Sequence, residues 1–133
     1  MKFIQTYSDD KGFRQEVELD EFDTWGMDST LSHIIVPMLE QLKATKHGAP
    51  HVDNEDVPEE LHMPADYNWG HTGKTDENWF ARWDYVLDQM IWAMTQIRDD
   101  KTWDVLAEGC KEHCEKIANG TRLFGKYYQA LWD

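Results

Sequence analysis

Apolar residues recur at every third or fourth position through the last third of the chain, which is the spacing of one helical face. The members of this stripe are Trp103, Leu106, Cys110, Cys114, Ile117, Thr121, Phe124, Tyr128 and Leu131. The pattern predicts a helix over residues 102–132, which would be about 46 Å long. Because that length is large for a chain of 133 residues, we expect a bend near Asn119 and Gly120.

A second stripe predicts a helix over residues 28–47. Its apolar members are Leu31, Ile34, Ile35, Met38, Leu39 and Leu42. Asp28 or Ser29 is suited to cap its N-terminus. Pro37 lies inside this segment and releases the carbonyl group of His33, so the pattern indicates either a kink or a helix that begins at Pro37.

A third stripe predicts a helix over residues 76–98. Its apolar members are Trp79, Phe80, Trp83, Leu87, Met90, Ile91 and Met94. Asp84, Asp88 and Trp92 form a row away from this stripe, at spacings of four. An aromatic residue on a polar face indicates either that another element covers the face or that the face meets a partner.

The first part of the chain alternates with a period of two instead. Residues 1–25 contain two such segments around a turn, which predicts a β-hairpin with one apolar and one acidic face. Because a two-stranded hairpin is marginal alone, we expect the apolar face to rest on the helices. Residues 48–75 lack periodicity and predict a long acidic loop, with one helical turn after Pro58. The sequence therefore predicts a single, mainly α domain over residues 1–133, with a three-helix core, a small N-terminal β-hairpin and this central loop.

The formal net charge is −13, with 26 acidic and 13 basic residues. The acids are concentrated in residues 1–28 and 49–73, whereas residues 101–133 contain five acids and five bases. Such a charge repels nucleic acid and membrane surfaces and favours basic protein partners, although it also keeps any protein soluble. No apolar run has the length of a membrane span, and the N-terminus lacks the apolar segment of a signal peptide. We therefore expect a cytoplasmic protein.

Exposed aromatic residues and acids are the candidate binding residues, because aromatic anchors supply affinity and charges orient a partner. They are Trp92, Asp84, Asp88, Trp69, Asp53, Glu55 and Asp56. The expected partner is a basic surface on another protein. A sharper hypothesis is nucleic-acid mimicry, which requires carboxylates at the spacing of phosphates on one face.

One group of residues has metal-binding chemistry. Cys110, His113 and Cys114 place three soft ligands at i, i+3 and i+4, and His33 is a conceivable fourth, so zinc is a candidate cofactor. The competing interpretation is two free thiols and a hydrogen-bonded histidine, because structural zinc sites usually draw ligands from loops and a second element. The two cysteines lie one helical turn apart, which disfavours a disulfide.

Other catalytic patterns are incomplete. Residues 70–75 are similar to a phosphate-binding loop, but Asn68 stands where that motif needs glycine, and no strand precedes it. The carboxylate pairs lack the Glu-x-x-His spacing of di-iron proteins. These features favour a non-catalytic protein. The alternative is a small-ligand or metal-dependent enzyme with a pocket under the central loop, where His62 and His71 would be further candidates.

Four short segments of the sequence are distinctive enough to compare with known families. They are Asp23-Thr-Trp, Thr45-Lys-His-Gly-Ala-Pro, Arg82-Trp-Asp and Leu123-Phe-Gly-Lys-Tyr-Tyr. With their neighbours they resemble a family of small, functionally uncharacterised proteins encoded by tailed bacteriophages. The resemblance implies a phage product that works in the cytoplasm of a bacterial host. It brings no activity, cofactor or site residue.

The leading hypothesis is a non-catalytic acidic binding protein, encoded by a phage, that acts on a basic surface of a host protein. It predicts no direct contact with nucleic acid or membranes. Besides the enzyme described above, the alternative is a self-assembling structural component whose interface is the face with Asp84, Asp88 and Trp92. That alternative predicts a homo-oligomer.

Overall fold

The computed structural model describes residues 1–67, 70, 73–102 and 109–133. Its strands and α-helices are β1 Lys2–Ser8, β2 Gly12–Glu18, α1 Glu21–Trp25, α2 Met27–Thr45, α3 Trp79–Arg98 and α4 Cys110–Lys126. Three short 3-10 turns cover Asn54–Asp56, Glu59–Leu61 and Tyr128–Ala130. The protein is therefore mainly α with a small N-terminal hairpin, as the sequence predicts.

Helix α3 lies at the centre of the helical core, with α2 on one side and α4 on the other. Its predicted stripe is buried, except that Ile91 is half-buried and Phe80 is exposed. Helix α4 crosses α3 at Gly120, where a Cβ atom would lie 2.5 Å from the carbonyl oxygen of Gln89 and closer still to Ala93. Only a residue without a side chain permits this approach.

The predicted C-terminal helix over residues 102–132 is wrong at its end. Helix α4 stops at Lys126, and the chain continues as a 3-10 turn. Tyr127 is consequently turned into the core, whereas Tyr128, which the stripe places inside, is 63% exposed. The helix passes through Gly120 without interruption, so this glycine serves close packing and not the expected break. Residues 103–108 lie outside the described residues.

Helix α2 buries only part of the stripe that its sequence predicts, since Leu39 is buried and Ile35 and Leu42 pack against the core. The buried residues are Ser32, Val36 and Leu39, whereas Leu31 and Met38 are exposed. Two more residues of the buried face, Lys43 and Lys46, follow at spacings of four and three, and they pair with acids of α3. These ion pairs join the face that carries the lysines to α3, while Leu31 and Met38 of the more apolar stripe are exposed.

The start of α2 also differs from the prediction. The helix begins at Met27, directly after α1, and runs through Pro37, so it does not begin at the proline. Gly26 occupies the N-cap position in place of Asp28 or Ser29. The side-chain cap belongs to α1, where Asp20 accepts hydrogen bonds from backbone N–H groups of the first turn.

The hairpin does not rest on the helices, contrary to the sequence-based expectation. Every residue of β2 is exposed, and β1 has one half-buried residue, Ile4. The predicted apolar face does form, because the strand register places Phe3 opposite Val17. That face points toward solvent.

Candidate functional site

The acidic central loop is fixed to the C-terminal helix through Asp56. Its side chain is fully buried, accepts a hydrogen bond from the hydroxyl of Tyr127 at 2.7 Å, and pairs with Arg122 at 2.7 Å and with Lys126 at 2.5 Å. Burial alone would raise the pKa of Asp56, but hydrogen bonds from Lys126, Tyr127 and Arg122 outweigh it and hold the pKa below its usual value. The ionised carboxylate therefore joins the loop to α4.

Asp53, Glu55 and Asp56 have the spacing of a cation site. Their carboxylate oxygens lie within 4.8 Å of one another, and oxygen ligands of this kind suit hard divalent ions. The ammonium group of Lys126 lies among them, at 2.8 Å from Asp53, 3.0 Å from Glu55 and 2.5 Å from Asp56. A metal ion would have to displace this lysine, whose charge already compensates the carboxylates.

Tyr127 gives the loop contact a dependence on alkaline pH. Burial, together with its hydrogen bond to Asp56, raises the pKa of Tyr127 to about 12 from an ordinary value of 10.0. The protonated phenol therefore stabilises the fold. This contribution is fully present below pH 10, the ordinary pKa of tyrosine in the unfolded chain, and is lost as the pH rises from 10 toward 12. The stability advantage of wild type over Tyr127→Phe should therefore shrink by about 2 kcal/mol between about pH 9 and pH 12, measured by urea unfolding.

Tyr128→Phe is the matched control for this measurement, because Tyr128 is adjacent in the chain and 63% exposed. Its difference from wild type should not vary with pH. An equal pH dependence for both variants would show that Tyr127 is not responsible. Burial lowers the pKa of Lys126, but hydrogen bonds to Asp53, Asp56 and Glu55 outweigh it and raise this pKa, and Lys126 is present in all three proteins.

A buried ion pair fixes the other end of the central loop to α3. Arg82 lies within the apolar stripe of α3 and is 0% exposed. Its guanidinium binds both carboxylate oxygens of Asp76 and donates to the carbonyl oxygen of Leu61 at 2.9 Å. Hydrogen bonds from Arg82 are the main reason that the pKa of Asp76 lies below its ordinary value. The loop thus has two charged attachments, one to each of the central helices.

The row on α3 that was predicted to bind a partner faces neighbouring helices. Asp84 pairs with Lys46 at 2.5 Å, and Asp88 pairs with Lys43 at 2.7 Å. Trp92 is half-buried against α4, with the ring of His113 at 5.3 Å between centroids and the ammonium of Lys116 at 4.1 Å from the ring. These contacts favour the internal explanation of the row, and its binding role remains a prediction.

The proposed zinc ligands are not brought together. Among the described residues, three or more metal-binding side chains come within 4.8 Å only at Asp53, Glu55 and Asp56. Each histidine of the soft set instead binds a backbone carbonyl, His113 at Lys101 and His33 at Ser29, both at 2.9 Å.

The cysteines of the same set have the properties of free thiols. Their sulfur atoms are 3.8 Å apart, and no disulfide joins them. Burial, with the hydrogen bond to Cys110, raises the pKa of Cys114, which favours the thiol over the thiolate that a metal needs. The competing interpretation, free thiols with a hydrogen-bonded histidine, fits this geometry.

Two sequence-based candidates, the aromatic anchor Trp69 and the histidine His71 of the enzyme alternative, lie outside the described residues. Asn68 and Thr72, which belong to the comparison with a phosphate-binding loop, lie outside them as well. His62 is described, and its Nε2 donates to the carbonyl oxygen of Val57 at 3.1 Å. That bond helps to fold the central loop.

The uncovered apolar face of α2 is the largest feature that the sequence interpretation missed. It consists of the exposed residues Met27, Leu31 and Met38 and is bordered by the half-buried Ile34 and Ile35, of which Ile35 also packs against the core. Met27 and Met38 are 55% and 66% exposed. A second stripe on α2 could have predicted this arrangement, because its two lysines can pair with the acids at positions 84 and 88 of α3. Its members are Ser32, Val36, Leu39, Lys43 and Lys46.

At its C-terminal end this face opens into a groove of about 750 Å³ between α2 and the end of α4. The lining residues are Ile35, Pro37, Met38, Leu39, Gln41, Leu42, Thr45, Phe124, Tyr128, Leu131 and Asp133. Asp133 is the one charged residue of this lining, and it is held by the backbone N–H and the ring of His47 at 2.6 and 2.8 Å. The groove is therefore mainly apolar and has a single acidic residue, Asp133, in its lining.

The chain matches no protein-family model, and it is similar to no curated protein and no solved structure. None of the described helices is both long enough and apolar enough to cross a membrane.

Proposed function

We propose that this protein is a non-catalytic acidic binding protein that captures a basic amphipathic helix of a bacterial host protein. The observation that carries the proposal is the uncovered apolar face of α2 and its continuation into the groove. Contiguous apolar patches of this kind are uncommon on soluble monomers and usually mark interaction sites.

The shape of the site fits a helix. From Ile35 to Thr45 the groove follows about 15 Å of α2, which is the length of about three helical turns. An amphipathic helix presents anchors at i, i+3 or i+4, and i+7, and lays that stripe into such a groove. Met38 and the edge-to-face pair of Phe124 and Tyr128, with centroids 5.6 Å apart, supply adaptable and aromatic walls.

The charge of the protein selects the partner. A net charge of −13 attracts a helix whose polar face carries lysine or arginine and repels an acidic one. Three of the acids predicted to bind a partner, Asp56, Asp84 and Asp88, form ion pairs within the chain. The proposal therefore places affinity in the apolar groove and uses the net charge for orientation and encounter rate.

A synthetic peptide tests this proposal. The probe has about 15 residues, with leucines at helical anchor positions and lysines elsewhere. Binding is measured by fluorescence anisotropy at low and moderate salt. Met38→Ser should weaken binding about tenfold, because a buried methionine contributes on the order of 1.5 kcal/mol. Phe13→Ser, at a residue of similar exposure on the hairpin, should leave binding unchanged.

A scrambled peptide of the same composition separates the groove from plain charge attraction. It has the same charge and no apolar stripe, so it should bind at least about tenfold more weakly. Equal binding of the two peptides, or equal loss with Met38→Ser and Phe13→Ser, would refute the proposed site.

A further inference from the structure

The open edge of β2 is the second unpartnered surface of the chain. In the part of the chain that the structure describes, the sheet has two strands, so one edge of β2 has no strand beside it. All residues of β2 are exposed. A two-stranded hairpin is marginal in water, and further strands with a shared apolar face stabilise it.

One face of the hairpin is uncharged. Its three facing pairs are Phe3 with Val17, Gln5 with Gln15, and Tyr7 with Phe13. The apolar members of these pairs are between 53% and 76% exposed. Arg14 and Glu16 lie on the other face, where their side chains form an ion pair at 2.6 Å.

The sequence of β2 is complementary to itself when reversed. If two copies pair antiparallel about Gln15, Arg14 of each lies opposite Glu16 of the other, and Phe13 lies opposite Val17. If the register shifts by two residues either way, Arg14 lies opposite Arg14 or Glu16 lies opposite Glu16. If it shifts by one residue, the charged face of one copy continues into the uncharged face of the other. Facing opposite charges stabilise an antiparallel pair and like charges destabilise it, so charge selects one register.

The hairpin carries little of the net charge that opposes the association of two copies. Residues 1–18 contain four acids and three bases, so nearly all of the net charge of −13 lies elsewhere. Two hairpins can therefore approach edge to edge with little local repulsion.

We infer that the protein forms a homodimer through its N-terminal hairpins, with two β2 strands paired antiparallel about Gln15. The product is a four-stranded sheet in the order β1-β2-β2-β1, whose uncharged aromatic face is continuous across both copies. This interface does not include the groove between α2 and α4, so it stands or falls independently of the proposed function.

Sedimentation equilibrium of the full chain tests the dimer. Wild type should show a monomer–dimer equilibrium with a Kd on the order of 100 μM, as expected for a small interface. Arg14→Glu and Glu16→Arg should each weaken it by about tenfold or more, because each makes the facing positions alike in charge. An equimolar mixture of the two variants should dimerise again, since every acidic position of one chain then faces a basic position of the other.

The variant with both substitutions in one chain is the matched control and should dimerise as wild type does. Because these residues are exposed, all variants should keep the circular dichroism of the helical core. A wild-type protein that stays monomeric up to about 1 mM would overturn the inference. Single variants that dimerise as strongly as wild type would overturn it too, by showing an interface elsewhere.

Discussion

Gly120→Ala should lower the free energy of unfolding by about 2–3 kcal/mol, because the added methyl group has no space. Its carbon would lie 2.5 Å from the carbonyl oxygen of Gln89, and backbone cannot rotate away as a side chain can. Alanine favours a helix over glycine by about 1 kcal/mol, so the steric cost must exceed the measured loss by that amount. Urea unfolding followed by tryptophan fluorescence measures the difference.

Gly125→Ala supplies the control within the same helix. Apart from its chain neighbours and the backbone of its own helix, no atom of the described residues lies within 4 Å of the position that its Cβ would take. The substitution should therefore stabilise the protein, by up to about 1 kcal/mol. If Gly120→Ala were equally stabilising, the close crossing of α4 over α3 would be wrong.

Asp76→Ala should be the most damaging single substitution, with a loss of about 3–5 kcal/mol. It leaves the guanidinium of Arg82 buried without its carboxylate, and a charge in that position cannot be solvated. The loss should appear in urea unfolding. Lys111→Ala, which removes an ion pair whose side chains are 88% and 65% exposed, should change stability by less than about 0.5 kcal/mol.

The double variant Asp76→Ala with Arg82→Met separates the buried charge from other local damage. Replacing both partners by apolar groups removes the uncompensated charge, so the double variant should be more stable than Asp76→Ala alone. Additive losses from the two substitutions would show that the pair is not coupled, contrary to the structure.

Periodicity predicted the three long helices because each buries one stripe against its neighbours. Periodicity failed in part on α2, because it selects the most apolar stripe. The face that meets α3 is instead the one that carries Lys43 and Lys46. Periodicity also failed after Lys126, because the helix ends there, six residues before the predicted end, and the turn that follows places Tyr127 in the core and Tyr128 at the surface. Helix ends and ion pairs between helices depend on tertiary contacts, which a local sequence pattern does not contain.

The candidate site was harder to predict than the fold. The acids of the central loop were identified, but their partners Arg122, Lys126 and Tyr127 are about 70 residues away in the chain. The sequence alone therefore indicates that those acids are exposed charges without a partner inside the chain. The apolar face of α2 was read as core, and nothing in its own residues distinguishes an uncovered stripe from a covered one.

The crossing at Gly120 also limits how this chain can diverge in evolution. A bulky replacement at position 93 would meet α4, and any side chain at position 120 meets the backbone of α3. Because surface substitutions usually cost little stability, we expect distant relatives of this chain to differ at exposed positions and still to keep a very small residue at both of these positions. That pair of positions, 27 residues apart, is a fingerprint by which kinship would remain visible after overall similarity has faded.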